Sequence, residues 1–268
     1  MRLGIWILGL ASAAAGVLDI VWGEFEAAHQ PIQALGANVA HMNVLAYIGG
    51  LWLIVGGLAI LYRRTARGGA LVLAGIYLLF AMFWIPRFYT ATKYLGFRMN
   101  VLIGVLDGMG TQLIVVAAAM IVFAFATREL WGNRAVAVAR WIFGLSSVVF
   151  GVAHLMGTRD LATMVPSWMP LGGPFWVGFT GVCFILAGIA ILSRVQDVLA
   201  ARLLALMLLV FSVIALAPNI VAYPHNHIAW GANAYNLAAV GATWIFAEAL
   251  ANRRTMRDER TSAVARVS

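Results

Sequence analysis

The stretch GLASAAAGVLDI, at residues 9–20, occurs a second time in altered form as GLSSVVFGVAHL, at residues 144–155. Five positions are identical at one offset of 135 residues, namely Gly9, Leu10, Ser12, Gly16 and Val17. Asp19 of the first copy becomes His154 in the second. Small residues let helix backbones approach each other in lipid, so a repeat of this kind indicates a duplicated membrane protein.

The composition excludes an ordinary soluble domain. The chain has 268 residues, of which 63% are hydrophobic and 10% charged, whereas soluble domains carry roughly 25% charged residues. The net charge of +8 does not indicate nucleic-acid binding, because the basic residues lie in short runs between apolar segments. The single cysteine, Cys183, cannot form an internal disulfide or a redox pair.

Apolar segments of membrane-spanning length follow one another along the chain. Their lengths and lack of strand-like alternation predict an all-α polytopic membrane protein with eight transmembrane helices. The predicted spans are 3–22, 43–62, 69–85, 100–125, 136–156, 174–193, 199–217 and 233–250.

The basic residues predict the orientation of these spans. Fourteen of the 18 basic residues fall on one side of the predicted spans, and the four on the other side are Arg87, Lys93, Arg98 and Arg159. The positive-inside rule therefore places both termini in the cytoplasm, in a multi-pass protein of the cell (inner) membrane.

Glycine spacing extends the duplication beyond the opening stretch. Gly50 and Gly57 are seven residues apart, and Leu-Ala-Ile-Leu follows Gly57. Gly181 and Gly188 have the same spacing, and Ile-Ala-Ile-Leu follows Gly188. Each copy holds four spans, so both copies have the same orientation. We expect two similar four-helix bundles in parallel orientation, at residues 1–127 and 136–250, followed by a basic cytoplasmic tail at 251–268.

Ionisable residues of the first copy gather on the predicted outer side. The candidates for ligand binding or proton relay are Asp19, Glu24, Glu26, His29, Arg87, Arg98 and Asp107. Asp107 lies seven residues beyond Asn100, hence about 10 Å along its helix. Either these residues line an outward polar cavity, or Arg87 and Arg98 pair with the aspartates and only hold the bundle together. The segment 24–31 is interpreted as a polar outer loop, with a re-entrant lid as the alternative.

The second copy has weaker candidates: His154, Asp160, His225 and His227. His225 and His227 lack the further ligands that a metal site needs, so no metal is expected. Haem is not expected either, because histidine pairs deep in facing helices are missing.

The second copy resembles the DoxX-like integral membrane proteins. The resemblance rests on GLSSVVFGVAH at 144–154, on the turn VPSWMP at 165–170 and on the Thr-Gly and Ala-Gly pairs of the following span. The first copy departs from this pattern at the turn, so the chain looks like a fused double-DoxX protein. The resemblance implies a four-helix bundle for each copy and links to membrane oxidoreductase systems and quinones.

Three functions follow as expectations. The first is an accessory or quinone-linked subunit of a membrane oxidoreductase system, with other subunits of that system as partners. The second is a carrier or permease for a small molecule that uses the polar cavity of the first copy. The third is a structural assembly protein. Whether the chain is an enzyme stays open, since no catalytic residue set is recognisable.

Overall fold

A computed structural model describes residues 1–30, 41–127 and 132–265, and these residues form helices and connecting turns without a strand. The helices are α1 (Arg2–Trp22), α2 (Met42–Ala59), α3 (Ala66–Phe83), α4 (Arg87–Leu95), α5 (Met99–Thr127), α6 (Gly132–Met156), α7 (Thr158–Ala162), α8 (Gly172–Ser193), α9 (Asp197–Phe211), α10 (Ala217–Ala222) and α11 (His227–Ala265). A five-residue π-helix, Ser212–Leu216, joins α9 to α10.

Seven helical stretches within the described residues are long and apolar enough to cross a membrane, as in a multi-pass membrane protein. They include α3 continued by α4, at Ala66–Leu95, and α9 continued through the π-helix and α10, at Asp197–Ala222. The first seven predicted spans are confirmed as apolar helices of this kind. Their ends differ by up to five residues, except that the third stretch continues ten residues farther, to Leu95. The eighth predicted span, 233–250, lies within α11.

The main helices contact one another in a closed order. α1 packs on α2, α2 on α3, α3 on α5 and α5 on α6. The order continues from α6 to α8, α9 and α11, and α11 packs back on α1. α5 and α11 also contact each other across the middle. The first helix therefore packs against the last helix of the chain.

α11 is buried on several faces over its middle part. Between 238 and 250 most residues are buried, including Val240, Ile245 and Phe246, which lie on different faces of the helix. The ring of Phe246 stacks on that of Phe143 of α6 at a centroid distance of 4.3 Å. Neighbouring helices, rather than lipid, surround this stretch.

Glycines bring α1 and α2 into backbone contact. A Cβ atom added at Gly57 would lie 2.5 Å from the carbonyl oxygen of Gly9, and one added at Gly50 would lie 2.6 Å from that of Gly16. α6 and α8 meet in the same way. A Cβ atom at Gly188 would lie 2.7 Å from the carbonyl oxygen of Gly144, and Gly151 faces Gly181.

A buried carboxylate joins three helices at the end where α1 begins. Asp197, the first residue of α9, is 3% exposed. Its Oδ2 lies 2.7 Å from Nη2 of Arg140 on α6, and its Oδ1 lies 2.6 Å from Nη2 of Arg254 on α11. Arg140 also donates to the carbonyl oxygen of Ile191. We call Asp197, Arg140 and Arg254 the basic-end clamp.

Candidate functional site

The segment that follows α1 folds back between the helices. Gly23, in the left-handed region with φ 65°, ends α1. The side chain of Phe25 then packs edge-on against Phe80 of α3 and directly over Gly49 of α2. Phe25 is 5% exposed and His29 fully buried. The interpretation of the segment 24–31 as a simple polar outer loop is therefore wrong for its described residues, 24–30. The Phe25 ring is buried between α2 and α3, and the His29 ring between α3 and α11.

Acidic and imidazole groups meet where α1 ends and α11 begins. The backbone N–H of Glu26 donates to Oδ1 of Asp19 at 3.0 Å. His227 lies between two carboxylates, with Nε2 3.6 Å from Oδ1 of Asp19 and Nδ1 3.3 Å from Oε1 of Glu24. Its ring stacks on Trp22 at 5.0 Å. We call Asp19, Glu24, Glu26 and His227 the acid–imidazole cluster.

Glu26 is held within the segment and against α11. Its Oε2 accepts the backbone N–H of Ala28 at 2.6 Å. Gly231 of α11 leaves room for it, since a Cβ atom there would collide with the Glu26 side chain. Burial raises the pKa of the Glu26 carboxyl from 4.5 to about 7, against the opposing effect of the Ala28 hydrogen bond. Near neutral pH this group can hold or release a proton.

His29 lies among aromatic rings. It stacks on Phe80 at 4.1 Å and meets Tyr77 and Tyr235 edge-on at 5.8 and 5.7 Å. Neither ring nitrogen has a hydrogen-bond partner among the described residues. Burial, assisted by the positive charge of Arg87, lowers the pKa of His29 from 6.5 to about 3. The imidazole is therefore neutral in the folded chain.

Arg87 fixes the folded-back segment from α4. Its guanidinium donates to the carbonyl oxygens of Ala27 at 3.2 Å and Gln30 at 2.7 Å. It also lies over the Trp84 ring at 3.9 Å, and the indole N–H of Trp84 donates to the carbonyl oxygen of Ala28. Arg87 thus binds backbone carbonyls of this segment instead of an aspartate.

The remaining two first-copy candidates stand apart from the cluster. Arg98 is exposed and forms no ion pair with any described residue. Asp107 of α5 is half-buried, and its backbone carbonyl accepts the hydroxyl of Thr111 at 3.1 Å. Its carboxylate has no hydrogen bond or ion pair with the residues that the structure describes. The structure therefore brings together Asp19, Glu24, Glu26, His29 and Arg87 of the predicted set.

A glutamine at position 26 tests the buried carboxyl. Between about pH 4.5 and 7 folded Glu26 keeps a proton that the unfolded chain releases, so the carboxyl makes stability fall as pH rises through this window. Glu26→Gln removes that fall. From pH about 4 to about 8, we expect the free energy of unfolding of the variant to rise by roughly 3 kcal/mol relative to that of the native chain. Unfolding in detergent at a series of pH values measures this difference.

The exposed Glu259, changed to glutamine, is the matched control, because it lies outside the acid–imidazole cluster and forms no ion pair with any described residue. The comparison isolates one carboxyl, since the titration of His29 is common to all three chains. Parallel stability curves for native and Glu26→Gln proteins would contradict the role given to burial.

The four candidates of the second copy lie in different parts of the structure. His227 joins the acid–imidazole cluster, whereas His225 and Asp160 are exposed. His154 lies at the end of α6, where its Nδ1 bonds the carbonyl oxygen of Phe150 at 2.8 Å. Among the described residues no group of three histidine, cysteine or acidic side chains is arranged to hold a metal ion.

A cavity of about 770 Å³ lies between α8 and α9, bounded by α6 and α7. Its walls are mostly apolar, and the side chains with a polar or thiol group that line it are His154, Trp176, Thr180, Cys183, Gln196 and Asn236. The indole N–H of Trp176 already donates to the carbonyl oxygen of Pro170 at 2.7 Å. No charged side chain lines it. A volume and polarity of this kind are typical of sites for small, largely apolar ligands.

The π-helix forms one wall of this cavity. Pro218 cannot donate a backbone hydrogen bond, and its ring disfavours a regular helix four residues earlier, at Ile214. The chain widens there into the π-helix, and Asn236 of α11 donates to the carbonyl oxygen of Leu208 at 2.7 Å and to the hydroxyl of Ser212 at 2.8 Å. π-helical turns occur frequently at functional sites.

Sequence reasoning did not find the cavity residues Thr180, Cys183 and Asn236 as a group. The one available signal was a set of isolated polar residues within strongly apolar spans. No family model, curated protein or solved structure matches the chain.

Proposed function

We propose that this protein binds a small apolar molecule of the bilayer in the cavity between α8 and α9. The observation that carries the proposal is the cavity itself, about 770 Å³ in volume, with polar side chains confined to a few positions. Its size is that of sites that enclose drug-sized ligands. Binding from the bilayer also suits a wall made of helices that otherwise face lipid.

The DoxX-like resemblance favours a membrane quinone as the bound molecule. With that ligand, the chain serves as an accessory or quinone-linked subunit of a membrane oxidoreductase system. This assignment rests on family analogy, and the cavity supports only its apolar character. The predicted location, the cell membrane with both termini cytoplasmic, belongs to the same proposal.

Solvent extraction of the purified protein tests this function. We expect a near-stoichiometric apolar molecule, identified by mass spectrometry, and its loss from Ala187→Phe, which fills the cavity from α8. Val182→Phe is the matched control, because Val182 lies on the same helix, is 47% exposed and does not line the cavity. Equal retention by both variants would place the molecule elsewhere.

A carrier or proton relay through the first copy is the second candidate. It is favoured by buried polar atoms that have no hydrogen bond among the described residues, namely Asp19 Oδ2, both ring nitrogens of His29 and His227 Nε2. Proton flux or solute uptake into liposomes that is lost in Asp19→Asn supports this candidate. If uptake is unchanged in Asp19→Asn, Glu24→Gln and Asp107→Asn, these carboxylates take no part in transport and the candidate is overturned. If the native protein retains no molecule and transports neither protons nor solutes, a structural assembly role without a ligand is favoured.

We also propose that α11 supplies an eighth span and that the fold is duplicated. Helices that other helices enclose need less apolar surface than those facing lipid, which suits the burial of α11 between 238 and 250. The support for duplication is the shared glycine contacts: Gly9 with Gly57 and Gly16 with Gly50 correspond to Gly144 with Gly188 and Gly151 with Gly181. The DoxX-like membership of each copy is part of this proposal.

A further inference from the structure

The polar atoms around the outer part of the cavity are hydrogen-bond acceptors. The Phe150 carbonyl oxygen can only accept, so Nδ1 of His154 carries the ring proton that it donates at 2.8 Å. In the neutral ring Nε2 is then an acceptor. It has no hydrogen bond with any described residue, and His154 lines the cavity.

Hydrogen bonds within the chain also use up the donor hydrogens of Asn236 and Thr180. Asn236 donates both amide hydrogens, to Leu208 and Ser212, which leaves its Oδ1 as an acceptor. Thr180 donates its hydroxyl hydrogen to the carbonyl oxygen of Trp176 at 2.8 Å, which leaves only lone pairs. Gln196, the other amide in the wall, lies at the opposite end of α9 and is exposed.

The first copy contains a comparable donor–acceptor contact within the chain. Asp19, the counterpart of His154 in the repeat, accepts the backbone N–H of Glu26 at 3.0 Å. The folded-back segment that supplies this donor places the His29 ring on Phe80 of α3 at 4.1 Å. In the first copy, therefore, an aromatic-rich segment with a donor group lies beside Asp19, which stands at the position of His154 in the repeat.

We infer that the cavity takes an uncharged amphiphile with a hydroxyl donor, which hydrogen-bonds His154 Nε2 or Asn236 Oδ1 while its apolar body lies along α8 and α9. This inference rests on the proposed function and specifies the ligand class. No carboxylate in the wall balances a cation, and no positively charged side chain there balances an anion. A molecule with acceptors only, such as an oxidised quinone, leaves both acceptors without partners, whereas the reduced form, a quinol, supplies hydroxyl donors.

Cys183, the single cysteine, reports on occupancy because it lines the cavity and is half-buried. The probes are 4-octylphenol and its methyl ether, which share an apolar body and differ in the hydroxyl donor. We expect the phenol to slow alkylation of Cys183 by N-ethylmaleimide at a concentration about tenfold lower than the ether, the effect of leaving a buried acceptor unsatisfied. Cys183→Ser confirms the labelled site.

Variants at His154 assign the preference to one atom. His154→Phe removes the acceptor and keeps a ring, so the phenol should lose most of its advantage while the ether protects as before. His154→Gln supplies another acceptor and should restore part of the preference. Equal protection by both probes in the native protein overturns the inference and leaves apolar binding in place. The absence of protection by either probe, with Cys183 still alkylated, counts against the proposed function as well.

Discussion

Asp197→Ala should destabilise the folded protein by about 4 kcal/mol, a large part of the stability of a typical domain. The substitution removes the acceptor of two guanidinium groups. Arg140 is left with a charge that is 12% exposed and no carboxylate partner. Breaking a buried ion pair from one side costs far more than an exposed pair contributes. Thermal unfolding in detergent, followed by tryptophan fluorescence, measures the loss.

The ion pair of Arg202 with Glu248 is the matched control at the same end of the molecule. Its atoms are 3.4 Å apart and its arginine is 48% exposed, so Glu248→Ala should cost less than about 1 kcal/mol. Exchange of the two carboxylates for their amides provides a second comparison, since Asp197→Asn keeps an acceptor oxygen for one of the two arginines and should recover part of the loss. Similar losses in Asp197→Ala and Glu248→Ala would show that the basic-end clamp does not stabilise the fold.

The clamp also shows where sequence reasoning stopped. Arg140, Arg194 and Arg254 were explained by membrane orientation, and Asp197 was not singled out. Charge distribution along the chain gives the side of the membrane but not which charges meet. The meeting of α6, α9 and α11 depends on tertiary packing, and only the structure supplies it.

The helices were predictable because the cost of burying backbone in lipid leaves long apolar helices as the simplest solution. The short helices α4, α7 and α10 were not predicted, since sequences of five to nine residues are too brief to show a period. The folded-back segment was read as solvated because of its glutamates. Two glycines on other helices, Gly49 and Gly231, make room for it, and that match cannot be recognised before the helices are placed.

Part of the candidate site was predictable from the sequence and part was not. Asp19 was identified from its position in the repeat, and its contacts with Glu26 and His227 link residues up to 208 positions apart. The cavity escaped prediction because it is a gap between α8 and α9. A gap has no sequence pattern of its own, and His154, Thr180 and Asn236 become a group only once three helices surround it.

Gly16→Leu should have the other large effect, a loss of more than about 3 kcal/mol, because the site cannot expand without separating α1 from α2. A Cβ atom at Gly16 would collide with the carbonyl oxygen of Gly50, which is backbone and cannot rotate away. We expect low yield of folded protein and, for what folds, a lower unfolding temperature in detergent. Gly151→Leu should act similarly through its contact with Gly181 on α8.

Gly178 and Gly104 provide controls that separate collision from helix propensity. A Cβ atom at either position meets no atom within 4 Å, although both glycines lie within helices. Gly178→Ala and Gly104→Ala should therefore leave stability unchanged or raise it by about 1 kcal/mol, the helix propensity difference between the two residues. In Gly16→Ala the same propensity gain is opposed by the collision, so this variant should still be destabilised. If Gly16→Ala were as stable as Gly178→Ala, the close approach of α1 and α2 would not be a source of stability, and the glycines shared by the two copies would need another explanation.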